Sequence, residues 1–374
     1  MNRLFALPLV LLCLSVVRAD DAKDQQAGPA RAFWVEEVEG VRVAHCVGEA
    51  DAWGKAYGEA FKDEIQGLYK GYILASAGDQ MPLAMQAVHA MEQHVPEEYK
   101  AMLRSLSEGC GLTYDEALSA QCYADLLQMM MCSTFVALGD ASADGKPIFG
   151  RNMDYPTRGM LHEHTIVTVF HRGEGKSFLT IGFPGMMGAV SGMNDRGLSI
   201  AVMNVFSPDM TPDGMPYLLM FRSVLETCAT VDEAAEVIKK TPRTTPNNLM
   251  ACDAEGAAVI EFSPKAVEVR RPTEGRVWST NHFESEALSN KTDPNEMTTC
   301  RRYGFLAEEL PKGKVDSEVA KKLLAGVADE EMTIQSMIFR PATLELWLAC
   351  GKVPSTSGEF KRLDARALFG AGAN

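Results

Sequence analysis

The chain has 374 residues, 46% of them apolar and 23% charged, the balance of a globular protein with room for one large domain or two. Lys and Arg number 36 against 50 Asp and Glu, a formal charge of −14. That balance excludes nucleic acid or an anionic membrane as an electrostatic partner, because such binding needs clustered positive charge. The composition is too apolar for disorder, and past the extreme N-terminus no apolar run is long enough to cross a bilayer.

Residues 1–19 read as an export signal: Arg3 supplies positive charge, residues 4–17 are almost wholly apolar, and Val17-Arg18-Ala19 offers a cleavage site before Asp20. The expectation is a secreted or periplasmic protein with no stable membrane insertion after signal removal. Leu12 before Cys13 is too large for a lipoprotein signal. Export permits disulfides. The eight cysteines beyond Cys13 are scattered without a CxxC pair, which argues against a structural zinc site and leaves connectivity open. Asn290-Lys291-Thr292 is a glycosylation acceptor in a host that glycosylates.

Residues 20–49 read as a polar tail followed by a first strand. Residues 50–131 are helical in pattern: Trp53, Ala56, Tyr57, Ala60, Phe61, Ile65 and Leu68 recur at three- and four-residue steps, and 99–106 repeats the habit. Gly109 and Gly111 punctuate before a further helical stretch over 114–127. From Cys132 the pattern changes to short β-rich runs at 135–138, 147–151, 164–170, 177–181, 198–205, 257–262 and 267–271. Gly139-Asp140-Ala141 and Asp144-Gly145 suit a turn between the first two. Helices are predicted over 217–226, 231–240, 300–310 and 317–325, and strands over 335–339 and 344–350. Strands, then helices, then strands imply an α+β layered sandwich over 132–374, preceded by a helical segment.

Cys132 opens the first strand, and Arg151 with Asp154 closes the second, so a hairpin brings the three to one end of a sheet. An arginine near a thiol favours the thiolate, which is the nucleophilic form. Taken alone, Cys132 is as readily a small buried hydrophobe, and Arg151–Asp154 a routine ion pair.

Residues 132–155 resemble the start of the catalytic chain in autoproteolytic N-terminal-nucleophile (Ntn) hydrolases of the penicillin acyltransferase type, relatives of choloylglycine hydrolases and acid ceramidases. Residues 106–112, 192–198 with Met203-Asn204, 248–264, 280–283, 299–303 and 344–360 are similar to further family motifs, in order. The resemblance implies a four-layer αββα sandwich and a chain that cuts itself between Met131 and Cys132. The freed α-amine, with a reference pKa of ~7.7–8.0, would then exchange protons with the thiol without any histidine. In this likeness Cys132 is the nucleophile, Arg151 steadies its thiolate and Asp154 orients the new amine. Asn204 and Asn281 are oxyanion donors, and Arg302 ties the network together, with Arg301 its competitor. The implied activity is cleavage of a linear amide through an acyl-enzyme, with hydrolysis or acyl transfer to follow. No cofactor or metal is implied; the partners are a small-molecule amide and the two cleaved chains, which stay associated. The alternatives are a lipid amide hydrolase of the ceramidase or N-acylethanolamine amidase type, and an inactive secreted binding protein.

Three other signals carry less. His162 and His164 would share one face of a strand, with His171 nearby, but no third metal ligand is evident from spacing. Residues 182–185 are too sparse in glycine for a phosphate loop and read as a turn beside the site. Met186, Met187, Met193 and Met203, among 21 methionines, suit either ordinary core filling or an adaptable acyl cleft.

Overall fold

The computed structural model describes residues 31–373, apart from 174–175 and 290–298. The export signal, Asp20 and the Asn290 acceptor lie outside the described residues. Two strands come first, β1 (Phe33–Val38) and β2 (Val41–Val47), where one was expected. Helices α1 (Ala50–Ala60) and α2 (Lys62–Leu68) follow, then a π-helical turn at Tyr69–Leu74, the short α3 (Ala75–Ala77), and α4 (Met81–Glu92), α5 (Glu97–Cys110) and α6 (Tyr114–Leu126). Local chemistry sets the helix ends. Pro96 precedes two acidic residues at the start of α5, and Gly111 closes it in the left-handed conformation at φ 75°. Thr113 and Glu116 form a reciprocal capping box at the start of α6. Helices α1 and α5 cross so closely that a Cβ on Gly58 would lie 2.9 Å from the Gly109 Cα.

The second part opens with β3 (Met131–Ala137) and β4 (Ile148–Asp154), an antiparallel hairpin as expected, with Cys132 opposite Met153 and Thr134 opposite Arg151. Next come β5 (Ile166–His171), β6 (Phe178–Gly182), β7 (Ser191–Asn194) and β8 (Ser199–Asn204), then α7 (Tyr217–Thr227) and α8 (Val231–Lys240). Strands β9 (Asn247–Cys252), β10 (Ala257–Phe262), β11 (Val267–Arg270) and β12 (Arg276–Ser279) follow, then α9 (Glu286–Ser289), α10 (Thr299–Glu309) and α11 (Ser317–Gly326). The described chain closes with β13 (Thr333–Arg340), β14 (Glu345–Cys350), β15 (Lys361–Asp364) and α12 (Ala365–Gly370).

Two sheets result. One has nine strands in the order β1-β2-β5-β6-β7-β8-β9-β10-β11; the other has six, β12-β3-β4-β13-β14-β15. Every pairing is antiparallel except β2 with β5. The sheets face each other through β3 against β8 and β9, with α7 and α8 outside the larger sheet and α10 and α11 outside the smaller. This is the four-layer αββα sandwich. Both faces of β3 and β4 are covered, so all their residues are buried and neither shows a polar face. Glycine at 150 is required there, because a Cβ would stand 2.3 Å from the Phe135 ring.

The eight cysteines among the described residues are all free thiols. One expectation is corrected outright: His162 and His164 are not on a strand but in a single 3-10 turn, Leu161–His164, ahead of β5. His164 Nδ1 bonds the Glu64 carboxylate at 2.8 Å, and His171 lies at the far end of β5 against His45 at 2.9 Å, so the three imidazoles share no ligand position.

Candidate active site

Strand β3 carries Cys132 into the gap between the sheets, where it is fully buried. Its backbone is held at both ends. The Cys132 N–H donates to Asn281 Oδ1 at 2.8 Å, and the Arg302 Nη1 donates to the Cys132 carbonyl and, at 2.9 Å, to Ser133 Oγ. Arg302 Nη2 donates to the same Asn281 Oδ1 at 2.9 Å. Arg302 is buried on α10 and reaches this network, while Arg301 beside it is exposed.

Asn281 sits just after β12 and uses both ends of its amide. Its Nδ2 donates to the Met130 carbonyl at 3.1 Å and to the Asn204 carbonyl at 2.7 Å. One side chain thus joins the segment before the expected scissile bond, the Cys132 nitrogen, and β8 of the opposite sheet. Asn204 takes part through its backbone. Its side-chain Nδ2 turns away, to the Tyr217 hydroxyl at 3.1 Å and Asn247 Oδ1 at 2.7 Å. In the continuous chain neither asparagine presents an idle N–H to an oxyanion.

Arg151 crosses from β4 as a fully buried guanidinium, donating to Ser191 Oγ at 3.3 Å and the Asn152 carbonyl at 2.9 Å. Asp154 Oδ1 accepts from Thr333 Oγ1 at 2.6 Å, while Oδ2 lies 3.9 Å from Arg302 Nη1 and accepts no hydrogen bond. Burial pushes the Asp154 carboxyl up to about 6, with Arg302 and the Thr333 bond opposing. Burial also pushes the Cys132 thiol up; Arg151 pulls it down, Asp154 pushes it further up, and Arg302 opposes less strongly. Desolvation therefore outweighs the arginines in the uncleaved chain. This corrects the simple expectation that a neighbouring guanidinium suffices to make a thiolate.

Three participants carried no sequence signal: Ser133 and Thr333, which bond Arg302 and Asp154, and Tyr217, which anchors the Asn204 amide. Asp125 on α6 lies deeper. It accepts from Thr244 Oγ1 and from the Tyr217 N–H at the start of α7, and burial lifts its carboxyl to about 7.

An apolar cavity of about 100 Å³ adjoins this site. Met130, two residues before Cys132, Met153, its cross-strand partner, and Tyr155 line it from the site side. The helical segment supplies the opposite wall with Leu68, Tyr72 and Tyr123. Met186 from the expected methionine group also lines it, whereas Met187, Met193 and Met203 are fully buried core. Gly185, in the expected turn, lies on the same cavity.

The chain is similar to an uncharacterised protein of Archaeoglobus fulgidus, 24% identical over 307 residues, which are 71% of this chain and 51% of that protein. It spans about half the length of the curated relatives it matches. Among solved structures it is similar to the Caenorhabditis elegans ortholog of N-acylethanolamine-hydrolyzing acid amidase, at 20% identity and TM-score 0.45, covering 56% of this chain and 93% of that one. It is also similar to a mutant conjugated bile acid hydrolase from Clostridium perfringens, at 18% identity and TM-score 0.40, covering 63% and 93%. The family model described as acyl-coenzyme A:6-aminopenicillanic acid acyl-transferase matches residues 141–353, a span that holds Arg151, Asp154, Asn204, Asn281 and Arg302 and begins just beyond Cys132. With more than half its residues inside that match, the chain belongs to the acyl-coenzyme A:6-aminopenicillanic acid acyl-transferase family.

Proposed function

We propose that the protein is a secreted cysteine amidase or acyltransferase that activates itself by cutting the Met131–Cys132 bond. The observation that carries this reading is the grip on one residue: Asn281 holds the Cys132 nitrogen and Arg302 its carbonyl, with Arg151 and Asp154 beside the thiol. Such a grip fixes the main chain where a nucleophile must be placed, in a site already cleared of water. Secretion rests on the sequence of residues 1–19 alone.

In self-cleavage the Cys132 sulfur attacks the Met131 carbonyl carbon, the peptide C–N bond breaks, and the nitrogen leaves as the new α-amine. Water then splits the thioester, and residues 130–131 are free to withdraw. Their departure releases Asn281 Nδ2 from the Met130 carbonyl and opens a path from the thiol to the cavity. Asp154 Oδ2, which accepts no hydrogen bond in the continuous chain, supports its role as acceptor for the new ammonium. In turnover the amine takes the thiol proton and the thiolate attacks the substrate carbonyl. The amine then returns the proton to the leaving nitrogen, and water or a second amine releases the acyl group. The oxyanion would fall to Asn281 Nδ2, and the Asn204 amide would have to leave Tyr217 or Asn247 to join it.

The cavity favours one branch of this reading, an amide whose acyl part is apolar, because its lining is aliphatic and aromatic almost throughout. N-terminal sequencing of purified protein tests the core claim. The expected result is two fragments, one beginning at Cys132, and a single fragment for Cys132→Ala. An intact, active wild type would overturn it.

A further inference from the structure

A second cavity, of about 330 Å³, lies wholly within the helical segment, between the π-helical turn, α4 and α6. It shares Ile73 and Tyr123 with the cavity beside Cys132, so these two side chains stand where the spaces meet. Ile73 belongs to the π-helical turn, a distortion that requires a local cause and often accompanies a functional site. Tyr123 is held edge-to-face against Tyr72 at 5.9 Å, and Tyr72 is fixed through its hydroxyl to the Pro156 carbonyl at 2.6 Å. The Tyr123 hydroxyl is buried beside Ser76 and Tyr155. At the outer rim stands Leu83, 63% exposed, the most exposed large apolar side chain among the described residues.

A roomy apolar chamber aligned behind a small one, with an aromatic ring between them, fits an unbranched acyl chain that enters from Cys132. Resting on the amidase reading, we propose that Tyr123 and Ile73 form a partition that sets the longest acyl chain the enzyme accepts, and that its substrates are amides of unbranched aliphatic acids. The chain tail stops against Tyr123, and removing the ring joins the chambers and lets the tail run toward Leu83.

Two measurements on the full-length protein test this. In the self-cleaved protein, calorimetric affinities for alkanoic acids from butanoic to hexadecanoic are expected to rise with each carbon and then level off. Adding Tyr123→Ala moves the levelling point to longer acids, whereas Tyr123→Phe, which keeps the ring, leaves it in place. Ile73→Ala provides the same opening should Tyr123→Ala fail to fold. In the active enzyme, Tyr123→Ala is expected to raise kcat/KM for hexadecanoyl relative to octanoyl 4-nitroanilide about tenfold or more, the scale set by a few added methylene contacts. A levelling point unmoved in both alanine variants, or moved equally by Tyr123→Phe, overturns the partition. A moved levelling point with a wild type that hydrolyses no amide overturns the amidase reading and leaves the partition standing.

Discussion

Asn281 joins four groups around Cys132, namely the Cys132 N–H, the Arg302 guanidinium and the Met130 and Asn204 carbonyls. Asn281→Ala removes a buried partner from the Cys132 N–H, from Arg302 and from the Met130 and Asn204 carbonyls. Loss of a single preorganised donor reduces turnover by about 10²–10³-fold. The expected result is chain cleavage slowed by at least that factor, read on gels over time, with the processed fraction losing kcat rather than KM. Thr333 offers a subtler test. Its hydroxyl lowers the Asp154 carboxyl, which burial has already raised to about 6. Thr333→Val removes that help, so the carboxyl rises further and the acid limb of the kcat/KM profile moves to higher pH; an unmoved or lowered limb would show that Asp154 does not govern it. The β3–β4 hairpin was legible from its turn signals, and the place of Arg302 beside Cys132 matches what motif order along the chain led one to expect. Ser133, Thr333 and Tyr217 were not, since a lone hydroxyl has no spacing to betray it. Nor does sequence tell which way the Asn204 amide turns; that is settled by Tyr217 on α7 and Asn247 on β9.

Among the elements, the long helices α1 and α5 were readable from their periodicity, α6 from the glycines that precede it, and the hairpin β3–β4 from its turn signals. The four-residue strands β7 and β12 and the edge strand β15 were not, because so few residues set no period and pairing with neighbours decides them. The burial of Asp125 could not be foreseen either, because α6 is buried on nearly all sides and lacks an amphipathic stripe. That carboxyl caps α7 from another element and has its affinity for protons raised to about 7. The folded chain therefore binds a proton at Asp125 that the unfolded chain, near 3.8, has released. Its contribution to stability is full below pH about 4 and is lost as pH rises through 7. Asp125→Asn keeps one acceptor and no titratable proton. Its thermal midpoint is expected to lie above wild type at pH 8 and to converge with it near pH 5; a gap that widens on acidification would contradict this assignment.

At the scale of the whole molecule, the segment before Cys132 is more than a leader to be discarded. It was expected to be helical with one strand, yet β1 and β2 extend the nine-stranded sheet, and β2 pairs with β5 over five register positions from Val43 to Val47. It also builds one wall of the cavity beside the nucleophile and the whole of the outer chamber, from residues outside the family match. The matched region supplies most of the groups around Cys132, and the earlier segment supplies one wall of the cavity beside it, so on the proposed reading chemistry and selectivity would divide at the cut. Cleavage would remove one covalent bond and, as residues 130–131 withdraw, the pairing of Met131 with Asp154, but neither the β2–β5 pairing nor the Asp125 contacts to Thr244 and Tyr217. The two chains should therefore co-elute as one species in size-exclusion chromatography after cleavage and part only in denaturant. Residues 132–374 expressed alone should expose the β5 edge and the bare cavity wall, and are expected to aggregate or remain inactive until the first segment is supplied in trans. Full activity from the isolated second chain would show that the helical segment shapes neither site nor cavity.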